Sequence, residues 1–311
     1  MKRFLLKLSF YFSLVFIFIA YVVFNIDGNF DPYYVLFTTE QKQSLIIGVS
    51  RAAQGIKPEV LNAKLPGHRF FNFAFNGYIS PYGPTYLNAI KKKLNPKTTD
   101  GIFILSVGPG HFSSKRNIKD DSLSFRELNN CLAKTRFVNL KPNIFYLLGN
   151  YNNFIRKYFT DRNRESRFLH DDGWLEVKTN FTQKVLKKRS KNVLRQIKSQ
   201  RNKYQFSITR WQYFLKTIQF LKNHGEVYLV RLPVEQQVCE IENNFLPEYD
   251  SLISDISSKY NAAYLNMALD ENDYIFIDGS HLHKESVPEV SRLIGDWIFD
   301  SENKTIDHEP L

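Results

Sequence analysis

Residues 44–51 read SLIIGVSR. An apolar run from Leu45 to Val49, broken by Gly48 and followed by Ser50, reads as a buried strand that ends in a tight turn carrying a hydroxyl. Lys57 to Leu65 then reads as a helix opened by Pro58. The same alternation continues along the chain. Phe70–Phe75 (FFNFAF) is a second strand, closed at once by Asn76-Gly77, and residues 81–94 form a helix. Ile102–Val107 (IFILSV) is a third strand, closed by Gly108-Pro-Gly110. Ile144–Leu148 fits either a strand or a short helix. Later come a helix over Trp211–Asn223, a strand over Glu226–Leu232 and a helix over Leu252–Tyr260. A short strand over Ala263–Leu265 and a final helix over Val287–Phe299 complete the pattern. Strands separated by helical patterns predict an α/β domain with a parallel or mostly parallel sheet covered on both faces.

The chain has 311 residues, long enough for one large α/β domain. Residues 8–25 are uncharged and mostly apolar, and eighteen helical residues span about 27 Å, close to a bilayer core. Lys2, Arg3 and Lys7 precede this run, and no cation follows it before Lys42. That bias predicts a single-pass anchor with its N-terminus in the cytoplasm and the remainder periplasmic or extracellular. A cleaved signal peptide is the competing reading, although YVVFNIDG offers no small-x-small cleavage site. The expected organisation is a cytoplasmic stub and anchor over 1–25, a tether over 26–43, a domain over 44–300 and a polar tail over 301–311. A polar, basic, partly helical insertion around 150–205 is expected to cap the sheet.

The net charge is +11, with one dense basic stretch over Lys184–Lys203. No nucleic-acid module accompanies it, so it reads as an exposed basic helix or as a surface for an anionic lipid or acidic glycan. Cys131 and Cys239 lack metal-ligand spacing and read as buried thiols. No cofactor motif is present.

In a sheet of this kind functional groups collect beyond the carboxyl ends of the strands. Ser50 lies there. Read alone, it is a helix N-cap or loop serine before it is a nucleophile. Asp278-Gly-Ser-His281 follows the apolar stretch Tyr274–Ile277 and sets an acid and a base on one turn, as serine activation requires. His283 competes with His281 as the base. Asp278, His281 and His283 also make a metal set on paper, but no distant carboxylate or histidine stands out to complete it.

Taken together these segments resemble the SGNH hydrolases (the GDSL lipase and esterase superfamily), in particular their divergent membrane-anchored, extracytoplasmic branch linked to O-acylation of cell-surface polymers. Gly48-Val-Ser50-Arg51 with Gly55-Ile-x-Pro58 resembles the first block, Asn76-Gly77 the second, and Asp278-x-x-His281 the last. Val230-Arg231-Leu-Pro233 with Glu242 resembles the strand and loop before that last block. The resemblance frames residues 45–298 and implies a three-layer, flavodoxin-like fold. It implies Ser50 as nucleophile, His281 as base, Asp278 as acid and the Gly77 N–H as an oxyanion donor. One departure is plain: the third block is usually Gly-x-Asn, and here Gly108-Pro-Gly110-His111 has no asparagine. The Gly110 N–H or the His111 ring is the available substitute.

Arg51, Asn76, Gly110, His111, Arg231 and His283 are the candidate substrate contacts, with Arg51 equally suited to a salt bridge behind the serine turn. His170 and Trp174 in the insertion are candidates for a sugar-binding face. The implied activity is that of an O-acyl esterase or acyltransferase on an acylated glycan or cell-surface polymer. The alternative is a non-catalytic helper that binds glycan or partners an integral membrane acyltransferase.

Overall fold

The computed structural model describes residues 1–26, 31, 33–150, 167–178, 182–268 and 273–306. Its strands are β1 (Ser44–Ile47), β2 (Phe70–Asn72), β3 (Gly101–Ser106), β4 (Ser113–Lys115), β5 (Arg167–Leu169), β6 (Leu175–Val177), β7 (Tyr204–Phe206), β8 (Gly225–Arg231) and β9 (Tyr264–Asn266). Five of them form a central sheet in the order β2-β1-β3-β8-β9, parallel throughout. Counted along the chain among these five, the order is 2-1-3-4-5, so it reverses at β1. Leu45 sits between Phe71 of β2 and Phe103 of β3. Every residue of β1, β2 and β3 is buried, which is why these strands read as unbroken apolar runs instead of alternating ones.

Helices flank the sheet. Val287–Ile306 packs on Pro58–Lys64 and Ser50–Gly55, and Trp297 meets Tyr228 of β8 edge to face at 5.4 Å. Ile208–Lys222 packs on β8 and on Pro84–Lys93. The predicted helices and strands are present within a few residues of their expected ends, and Ile144–Gly149 resolves as a helix. β2 stops after Asn72, short of the expected Phe75. The buried Asn72 amide donates to the carbonyls of Ala52 and Ile56, and its carbonyl oxygen accepts the Ala74 N–H, so the side chain turns the backbone out of the sheet.

Within residues 26–43, expected as a tether, part of the described chain joins the core. Ile26 and Tyr34–Phe37 are buried. Lys93, itself buried, donates from Nζ to the carbonyls of Leu36, Thr39 and Val138 and fastens this segment to the domain. Residues 27–30 and 32 lie outside the described residues. The expected tail begins as helix, since Val287–Ile306 runs through residues 301–306; residues 307–311 lie outside the described set.

Before the core comes a helix over Lys2–Phe24, long and apolar enough to cross a membrane and with none of its residues buried. Within the expected insertion, residues 151–166 and 179–181 lie outside the described residues. What remains is the antiparallel ribbon β5–β6 and a basic helix over Gln183–Arg201. The Asp172 carbonyl, in the turn of that ribbon, accepts the Asn72 N–H at 2.8 Å and so covers the β2 edge. A second ribbon, β4–β7, ties the end of the insertion to the loop after β3. Cys131 and Cys239 are both buried, and no disulfide joins them.

Candidate active site

β1, β2 and β3 deliver three turns to one end of the sheet, around the point where the strand order reverses. Ser50 follows β1 and opens the helix Ser50–Gly55. At Gly48 (φ +157°) the turn comes so close to β3 that a Cβ would stand 2.8 Å from that of Ser106, and only glycine fits. Gly77 follows β2, and Gly108–Gly110 follows β3. A cavity of about 350 Å³ opens among them, lined in part by Ser50, Gly77, Gly110, His111, Ser280 and His281. Larger hollows lie elsewhere, about 1220 Å³ beside the basic helix and about 480 Å³ beside Arg231, and neither includes Ser50.

Ser50 Oγ stands 2.8 Å from His281 Nε2. His281 Nδ1 is 3.0 and 3.1 Å from the two carboxylate oxygens of Asp278. Burial alone would raise the Asp278 carboxyl. The hydrogen bond and charge of His281, with the N–H groups of Ser280 and His281, outweigh it and hold the carboxyl below its ordinary value. An ionised Asp278 only accepts, so His281 carries its proton on Nδ1 and turns the Nε2 lone pair to the Ser50 hydroxyl.

The loop bearing Asp278 and His281 is fixed by local contacts. The Ile277 N–H donates to the His281 carbonyl (2.8 Å) and the His283 N–H to that of Ile275 (2.7 Å). Gly279 adopts φ +78°, and a Cβ there would stand 2.6 Å from the Glu235 carboxylate. Glu235 donates its N–H to the Gly279 carbonyl and accepts from the Ser190 hydroxyl of the basic helix.

Arg51 joins the Ser50 turn to this loop. Its guanidinium donates to both carboxylate oxygens of Glu242 (2.7 and 3.2 Å) and to Ser280 Oγ (2.9 Å from Nη2, 3.1 Å from Nε). Burial would raise the Glu242 carboxyl, but Arg51 holds it lower than usual. Of the two roles read from sequence for Arg51, the structure builds the salt bridge behind the serine turn.

His111 lines the cavity, but its ring is not an oxyanion donor. Burial first, then the Arg51 cation, lowers its pKa to about 4, so it is neutral at pH 7. Its Nδ1 faces the Ser106 carbonyl at 3.2 Å, which requires the Nδ1–H tautomer and leaves Nε2 as an acceptor. The candidate donors that line the cavity are the N–H groups of Ser50, Gly77 and Gly110, none of which bonds to a described residue.

Three expected substrate contacts are not brought to the cavity. Asn76 donates to the Tyr33 hydroxyl and accepts from the N–H groups of Tyr78 and Ile79, so it shapes the Gly77 turn from behind. Arg231 is buried, paired through Nη1 with both oxygens of Asp250 (3.1 Å) and through Nη2 with Asn243 (2.6 Å). It approaches the site only through Glu242, 3.9 Å away. His283 is buried with Nδ1 3.7 Å from Glu285, and is not among the residues facing Ser50. Nor do His170 and Trp174 form a sugar face. Trp174 is buried and donates to the Gln54 carbonyl, His170 stacks on it, and His170 Nε2 pairs with Glu176.

Sequence reading missed part of the wall. Arg126 donates to the Gly77 carbonyl (2.7 Å) and lies 4.0 Å over the Tyr78 ring. Its neighbour Glu127 is fixed by a buried bidentate pair with Arg210 (2.8 and 3.1 Å). Tyr204 of β7, Ile197 of the basic helix and Phe245 complete that wall.

No protein-family profile matches the chain, and no curated protein matches it. Solved structures similar to it include two esterase-type proteins. One is Est24, a carbohydrate acetylesterase from Sinorhizobium meliloti, with TM-score 0.39 and 12% identity, covering 84% of this chain and 99% of that one. The other is a protein assigned as an arylesterase from Agrobacterium tumefaciens str. C58, with TM-score 0.35 and 10% identity, covering 84% and 99%.

Proposed function

We propose that the protein is a serine-dependent O-acyl esterase or acyltransferase of the SGNH type that acts on an acylated glycan or polymer of the cell envelope. The observation that carries this reading is the unbroken relay from Ser50 Oγ to His281 Nε2 (2.8 Å) and from His281 Nδ1 to Asp278 (3.0 Å). The 2-1-3-4-5 strand order supports it as well, being that of flavodoxin-like sheets with a ligand crevice at the β1/β3 switch point, where Ser50 stands. In this reading residues 1–25 anchor the chain, with the N-terminus cytoplasmic, and the rest of the described chain, the buried Ile26 and Tyr34–Phe37 included, forms the catalytic unit outside the membrane.

The chemistry follows from the proton inventory. Ser50 Oγ attacks the ester carbonyl as its proton passes to His281 Nε2, and Asp278 stabilises the imidazolium through Nδ1–H. The carbonyl oxygen becomes an oxyanion facing the N–H groups of Ser50, Gly77 and Gly110. Collapse breaks the ester C–O bond, His281 returns its proton to the departing alcohol, and the acyl group remains on Ser50. Water or a second hydroxyl, deprotonated by His281, then takes the acyl group. Water makes the protein an esterase, and a sugar hydroxyl makes it a transferase.

The test is Ser50→Ala in the full-length protein, read by hydrolysis of p-nitrophenyl acetate and by labelling with a fluorophosphonate. Both signals vanish while the circular dichroism spectrum is unchanged. Turnover that survives in the folded variant would sink the mechanism.

A further inference from the structure

The helix Ile144–Gly149 (IFYLLG) turns one ring inward and three apolar side chains out. Tyr146 is buried, whereas Ile144, Phe145 and Leu148 are 56%, 44% and 71% exposed. Three large apolar groups on little more than one turn form a face that water does not favour. Its surroundings are basic: Lys134, Arg136 and Lys141 are exposed, and residues 131–150 contain no acid. Phe137 extends the face, its ring 5.1 Å from that of Phe145 and 5.3 Å from the Arg136 guanidinium. An apolar face rimmed by cations suits the interface of an anionic bilayer.

The path of the chain brings a bilayer to this face. The apolar helix ends at Phe24, and Ile26 is already in the core, so about 7 Å of chain separates membrane helix from domain. Five residues later the Asp31 carboxylate accepts from the Tyr146 hydroxyl (2.9 Å). The Tyr34 hydroxyl accepts from the Asn143 N–H (3.1 Å), and the Tyr34 and Tyr146 rings meet edge to face at 5.6 Å. The segment that leaves the membrane helix is therefore the segment to which Ile144–Gly149 is fastened.

We propose that Ile144, Phe145 and Leu148 dock into the lipid surface of the membrane that holds the Lys2–Phe24 helix, giving the domain a second point of membrane contact. This rests on reading that helix as an anchor. The docked face is close to the catalytic turn: Tyr33, just past the anchor, bonds Asn76, and the next residue, Gly77, lines the Ser50 cavity. Docking thus holds the cavity beside the lipid surface and suits it to a substrate presented there.

The experiment uses the full chain in vesicles of phosphatidylglycerol and phosphatidylethanolamine with brominated acyl chains. A single cysteine carrying an environment-sensitive fluorophore is placed in turn at Val15, Ile144, Leu148 and Asp255. Asp255 lies on the helix Tyr249–Tyr260 beside β9, at the opposite edge of the sheet. The parent protein, with both native thiols buried, is the labelling blank. Brominated lipid should quench the probes at positions 15, 144 and 148 by about twofold or more and leave position 255 unaffected, while aqueous iodide does the reverse. Lipid quenching at 15 with iodide quenching at 144 and 148 would overturn docking and leave the anchor standing. Probes at 144 and 148 shielded from both quenchers would also overturn it, because a protein surface would then cover the face. A probe at 15 blind to lipid would remove the anchor and the proposal with it.

Discussion

Gly110→Asn is expected to accelerate turnover. Gly110 occupies the position at which the third block of the resembled family carries its asparagine, and the His111 ring next to it holds its only proton on Nδ1, towards Ser106. A Cβ built at Gly110 meets nothing within 4 Å, and the residue has no left-handed φ, so the loop accepts an asparagine without rearrangement. A side-chain donor to an oxyanion is worth about 3 kcal/mol in the transition state. Ordering the asparagine side chain costs about 1 kcal/mol. The difference, about 2 kcal/mol, is roughly a 30-fold gain in kcat/KM. The assay is p-nitrophenyl acetate hydrolysis by wild type, Gly110→Asn, Gly110→Ala and Ser50→Ala/Gly110→Asn. The alanine variant adds the Cβ without the amide, and the double variant removes the nucleophile. If Gly110→Asn is stable yet no faster than Gly110→Ala, a side-chain donor at this position is not what the site lacks, and the reasoning fails.

Two further outcomes test the supports of the site. Arg51→Lys keeps the charge but loses the fork that spans Glu242 and Ser280; kcat should fall about tenfold with little change in KM, because the serine turn is no longer held against the His281 loop. A rise in KM at constant kcat would show instead that Arg51 binds substrate. His111 supplies a pH signature. Its folded pKa, about 4, lies below the ordinary 6.5, so the unfolded chain binds more protons between those values and stability falls as pH drops from 6.5 to 4. The full effect is bounded at about 3 kcal/mol. Urea midpoints compared at pH 7 and pH 4.5 should show a smaller acid loss in His111→Gln than in wild type, and equal losses would refute the neutral assignment.

The parts of the site legible in the sequence are those that follow strands. Ser50, Gly77 and Gly110 each close an apolar run with a glycine nearby, and Asp278 and His281 meet because they stand three positions apart on one turn. Asn76, expected as a substrate contact, instead accepts the Tyr78 N–H two residues on, the local bond that an Asn-Gly pair after a strand favours. The other misplaced residues are those decided by distant partners. Arg231 ends β8 and from that position alone faces the crevice, but Asn243 and Asp250 lie 12 and 19 residues further on and draw its guanidinium under the helix Gln236–Phe245. That helix is only ten residues long and buries just Val238 and Cys239, so no long apolar stripe marks it in the sequence.

The same division separates chemistry from recognition. Ser50, Asp278 and His281 sit on turns set by the buried parallel sheet, where core packing leaves little freedom. Arg126, Tyr204 and Ile197 come from the segment after β4 and from the basic insertion, which no core pattern constrains. Ser190 joins the two systems. Its hydroxyl bonds Glu235, whose N–H holds the Gly279 carbonyl between Asp278 and His281. The insertion that lines part of the cavity therefore also braces the loop that carries Asp278 and His281. A polymer that moved the basic helix would act on both at once, so changes in this helix should alter kcat along with KM, unlike changes at a wall residue such as Tyr204 that has no tie to the loop.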